Sequence, residues 1–143
     1  MEKLQELYQL ADTNDIGVYC FRLNSVESCS YQDQTQNCYI AIDPFQLISY
    51  QDEQTKLAHE LGHCCTGSFY NIHSPFDIRQ KHENRADKWA IRRMISEDDL
   101  DNAIAEGYTE LWELAEHFNV TEDFMRKVIC WYTYGNLNTE LCF

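Results

Sequence analysis

Apolar side chains at Leu4, Leu7, Tyr8 and Ala11 follow the i, i+3, i+4, i+7 spacing of a short amphipathic helix. The period then changes. Residues 15–23 and 37–43 are rich in β-branched and aromatic side chains bounded by polar turns, which predicts two strands. A further strand is expected over 26–32, and Pro44 closes the sheet region. From about Asp52 onward the helical period returns. Ser49 or Asp52 can cap a helix that Gly67 ends in the left-handed conformation, and residues 68–77, with Pro75, form a loop before a second helix over 78–95. Ser96 with Asp99 reads as a capping box opening a helix stopped by Gly107; Thr109 and Thr121 can cap two more, and Gly135 starts a short tail. Strands followed by a run of helices predict an α+β fold, a small antiparallel sheet packed by helices.

The chain has 143 residues, 44% of them hydrophobic, enough for one core and one domain spanning 1–143. No stretch reaches 18 apolar residues and the first eleven lack a basic-then-apolar order, so neither a membrane span nor a signal peptide is expected and a cytoplasmic location is. Seven cysteines at irregular spacing in such a chain read as reduced thiols. The formal charge of −13, from 24 acidic and 11 basic residues, argues against nucleic acid as a direct partner and permits a basic protein partner. Residues 111–131 have the outline of a helix-turn-helix. Glu110, Glu113, Glu116, Glu122 and Asp123 oppose phosphate contact there, so the hairpin is read as core scaffold.

Residues 59–63 read His59-Glu60-Leu61-Gly62-His63, an H-E-x-x-H pattern within an otherwise apolar or small helix. Helical residues four apart share a face, so His59 and His63 can present two imidazole nitrogens to one zinc ion. Glu60 lies about 100° round the helix, near the metal without having to ligate it, as suits a base acting on water. A catalytic zinc takes three protein ligands, and Glu83 is the candidate for the third. Asp87, one turn beyond Glu83, can accept a hydrogen bond from the other ring nitrogen of a ligating histidine and fix its tautomer. Cys64 and Cys65 rotate away from the His59/His63 face and read as packing residues. Tyr70, His73 and His82, in or beside the loop, are candidate donors to an oxyanion.

These motifs resemble those of the ImmA/IrrE-type metallopeptidases. The E-x-x-A pattern of that family is matched by Glu83-Asn84-Arg85-Ala86, and Leu114-Ala115-Glu116-His117-Phe118-Asn119-Val120-Thr121 looks like its L-A-E-x-F-x-V-S/T segment. The resemblance runs from about Ile16 to about Trp131, and H-E-x-x-H with E-x-x-x-D also resembles the thermolysin-like gluzincins. It departs where many family members carry a proline after the second motif helix, since this chain has Ile95-Ser96-Glu97. The resemblance implies a zincin-like fold and a cytoplasmic zinc endopeptidase, and several members encoded on phages and mobile elements cleave a helix-turn-helix repressor. In zincin folds an edge strand beside the motif helix aligns the substrate by strand addition, and residues 38–42 are the candidate. The rival expectation is a zinc-stabilised module that binds a transcriptional regulator without cutting it; only Glu60 speaks against it.

Overall fold

The computed structural model describes residues 2–71 and 73–142. Its elements in chain order are α1 (Glu2–Thr13), β1 (Gly17–Cys20), β2 (Ser28–Gln32), β3 (Cys38–Ile42), α2 (Tyr50–Thr66), α3 (Phe76–Met94), α4 (Glu97–Ala105), α5 (Leu111–Phe118), α6 (Glu122–Tyr134) and α7 (Thr139–Cys142). The α+β class is as expected, but the sheet is mixed. Its order is β1-β3-β2, with β1 parallel and β2 antiparallel to β3. Residues 38–42 therefore form the central strand, not the expected edge. The pattern of β3 gives the reason: Cys38, Ile40 and Ile42 are all buried, and a strand that alternates so fully into the core gains most from neighbours on both sides. The edge strand beside α2 is β2, whose less apolar sequence, SCSYQ, tolerates solvent.

Ile40 and Ile42 meet Leu57 and Leu61 of α2 and Ile91 of α3 in one core, completed by Leu7 of α1 and by Met125 and Val128 of α6. Ser49 caps α2, its hydroxyl accepting from the Asp52 amide at 3.1 Å, and Gly67 ends the helix at φ 65°. The capping box of Ser96 and Asp99 forms with both bonds present. Thr121 caps α6, whereas Thr109 caps nothing: Glu110 takes the position before α5 without a side-chain cap bond. One cysteine pair also departs from expectation. Gly135, at φ 75°, turns the chain back so that α7 returns along α6 and Cys130 is joined to Cys142 as a disulfide, leaving five free thiols. No described helix is long and apolar enough to cross a membrane.

Candidate metal centre

The site depends on how closely α2 and α3 approach. Gly62, inside the H-E-x-x-H pattern, faces the backbone of α3; a Cβ there would stand 2.9 Å from Ala86 Cα and inside contact distance of the Ala86 carbonyl oxygen. Ala86 lies between Glu83 and Asp87, so this backbone contact brings both carboxylates against the two histidines. His59 Nε2 meets Glu83 Oε2 at 2.7 Å, and His63 Nε2 lies 3.3 Å from Glu83 Oε1. One ligand atom from each of His59, His63 and Glu83 falls within 4.8 Å of the others, the one such group found among the described residues. Cys64 and Cys65 stand outside it, as helix geometry predicts.

The remaining ring nitrogens settle which face of each imidazole points inward. His63 Nδ1 lies 2.5 Å from the Ser68 carbonyl oxygen, which only accepts, so this nitrogen carries the proton. His59 Nδ1 lies 2.7 Å from Asp87 Oδ1, the contact expected of Asp87, and it too donates. Each ring, when neutral, then has its lone pair on Nε2, directed at the common point. Two such nitrogens and a carboxylate form a donor set that suits a divalent zinc ion and leaves a position free. The residues present fit the metal.

Without a metal, the cluster organises as a hydrogen-bonded charge network. Burial opposes charge on His59, but the bonds to Asp87 and Glu83 outweigh it and hold its pKa up at about 10. His63 is raised by the same balance, against burial, through Glu83 and the Ser68 carbonyl. Burial pushes the Glu83 carboxyl up, yet the bonds from His59, His63 and Tyr70 carry it well below the usual carboxylate range. Asp87 is lowered too, against burial, chiefly by His59 and then by Lys127.

Glu60 is buried but opens onto the same cleft, of about 1260 Å³. One wall is β2 with the residues before it, the other is the first two turns of α6 from Thr121 to Lys127. Ser28 Oγ of β2 donates to Glu60 Oε2 at 2.7 Å, and Glu60 stands outside the group of His59, His63 and Glu83. Of the proposed oxyanion donors, Tyr70 reaches the site, its hydroxyl donating to Glu83 Oε1 at 2.5 Å. Burial and the neighbouring Glu83 push its pKa up to about 12, so it remains a donor. His82 stacks on the Tyr70 ring at 6.3 Å. His73 is not among the residues lining the cleft; its amide donates to Asn71 Oδ1 within the loop.

Ser28, the Ser68 carbonyl and Lys127 carry parts of this site that the sequence reading missed. The sequence placed a strand over 26–32, and knowing that β2 is the edge against α2 would have turned Ser28 towards Glu60. A backbone carbonyl leaves no residue-type signal at all.

With this geometry in place, the comparison with known families is direct. Residues 46–129 match the IrrE N-terminal-like domain of the Peptidase_M78 family, more than half of the chain and all of α2 and α3. The chain belongs to this peptidase family, which supports a metallopeptidase-type function. No curated protein matches the chain significantly. Ser28 lies outside the matched segment.

Proposed function

We propose that this protein is a zinc-dependent endopeptidase whose substrate is a helix-turn-helix transcriptional repressor of a phage or mobile element. The observation that carries the catalytic part is Glu60: a carboxylate open to the cleft, beside three convergent ligands, held by Ser28 instead of joining them. His59, His63 and Glu83 would hold the zinc. When bound, zinc would act as a Lewis acid towards a scissile carbonyl and acidify water.

The chain's own residues account for the rest of the reaction. Glu60 takes a proton from the attacking water and returns it to the leaving amine. The Tyr70 hydroxyl supplies a donor for the developing oxyanion. Asp87 and the Ser68 carbonyl keep both imidazoles in the Nδ1–H tautomer. The exposed edge of β2 aligns an extended peptide by main-chain pairing, placing the substrate between β2 and α6. An acidic protein suits a repressor substrate, whose DNA-binding face is basic.

The test is incubation with the helix-turn-helix protein encoded beside it, with and without chelator, followed by mass analysis. Chelator-sensitive fragments are expected. Retained binding with no cleavage by the zinc-loaded protein would favour the second reading, a zinc-stabilised module that holds a regulator intact.

A further inference from the structure

The Asp87 carboxylate is buried, and its two oxygens have different partners. Oδ1 meets His59 Nδ1 at 2.7 Å; Oδ2 accepts from Lys127 Nζ of α6 at 3.1 Å. No other hydrogen bond to this carboxylate is found among the described residues. Its side chain is 9% exposed and that of Lys127 38%, so the ammonium reaches in from the cleft wall while part of the stem stays in solvent. On α6, Phe124, Met125 and Val128 are buried in the core, which fixes the helix rotation and leaves Lys127 at the border of that apolar stripe, facing α3.

From this geometry we infer that Lys127 is a positioning residue for the metal site: it anchors Asp87, and through Asp87 it orients the His59 ring. A buried carboxylate with one oxygen unsatisfied would give up its fixed orientation to find another donor, because a lone buried acceptor is costly. With Lys127 in place the carboxylate cannot rotate without breaking a charge-assisted bond. The relay Lys127–Asp87–His59 also gives α6 a part in the site. The hairpin read from the sequence as core scaffold forms a wall of the cleft and is tied to a histidine of the centre.

This inference rests on the reading of His59 as a zinc ligand, and zinc competition titrations on the full chain separate the two. Wild-type protein that takes up no zinc overturns the metal reading itself. If it does take up zinc, Lys127→Met, which keeps the length of the stem, should weaken zinc affinity by about threefold or more, less than the 10–100-fold typical of losing a direct partner of a ligand. Lys127→Arg should restore wild-type affinity. In an Asp87→Asn background, Lys127→Met should change the zinc Kd less than twofold, because its effect passes through Asp87. Ring 15N shifts of His59 in the zinc-loaded Lys127→Met protein should move while those of His63 stay. Unchanged zinc affinity in a folded Lys127→Met protein, or losses that add in the double variant, would overturn the relay. Should Lys127→Met fail to fold, Lys127→Gln replaces it in the same cycle.

Discussion

Gly62 Cα faces the Ala86 backbone so closely that the two helices leave no room for a methyl group between them. The fourth residue of the H-E-x-x-H pattern thus sets the spacing that the fifth needs. Gly62→Ala should force α2 and α3 apart and destabilise the protein by about 1–3 kcal/mol, the usual cost of overpacking. Because both halves of the ligand set lie across this contact, zinc affinity should fall with stability. Urea denaturation and zinc titration on the same variant test the pairing, and a variant that keeps both would show that the helices separate without disturbing the site.

Asp87→Ala removes the acceptor of the His59 ring proton. Zinc affinity should weaken by about 10–100-fold with the fold intact. An unchanged dissociation constant would reduce Asp87 to an ordinary helix residue.

Glu60→Gln separates catalysis from binding. The amide keeps the size of the side chain and can still accept from Ser28, but it cannot take a proton. The variant should retain zinc and fold while losing about 10²–10⁴-fold or more in rate. Full activity in Glu60→Gln would assign the base elsewhere.

Zinc uptake should depend steeply on pH. His59, held up at about 10, is protonated in the metal-free protein at neutral pH, and the pKa of His63 is raised in the same direction. Their raised folded-state pKa values stabilise the metal-free fold fully below the ordinary histidine value near 6.5, and that contribution is lost as pH rises through about 10 for His59. A metal must displace these protons, so affinity should rise with pH over the same window and binding should release protons. Titrations in two buffers of different ionisation enthalpy would count them; a pH-independent affinity would mean the histidines are neutral before the metal arrives.

The convergence of these side chains was legible in the sequence because helix geometry makes spacing equivalent to position: i and i+4 share a face whatever surrounds them. His59, His63, Glu83 and Asp87 are all read that way. What escaped reading depends on partners distant along the chain. The order β1-β3-β2 follows from which strand gains most by being central, a comparison among strands that no single segment contains, and so residues 38–42 were assigned to the edge. Thr109 was assigned as a cap on residue type alone, whereas α5 begins one residue too late to use it. Cys130 and Cys142 are brought together only by the reversal at Gly135.

The hydroxyl that steadies Glu60 belongs to an edge strand, and this places a demand on folding itself. Ser28 pairs with Ile42 at the end of β3, and its neighbour Cys29 is exposed. A slip of one residue would keep nearly all the ladder bonds but turn every β2 side chain over, presenting a different group to Glu60. Such a chain would pass for native in compactness and helix content while Glu60 hung loose, so strand register, a property set during assembly, becomes a proofreading step for the site.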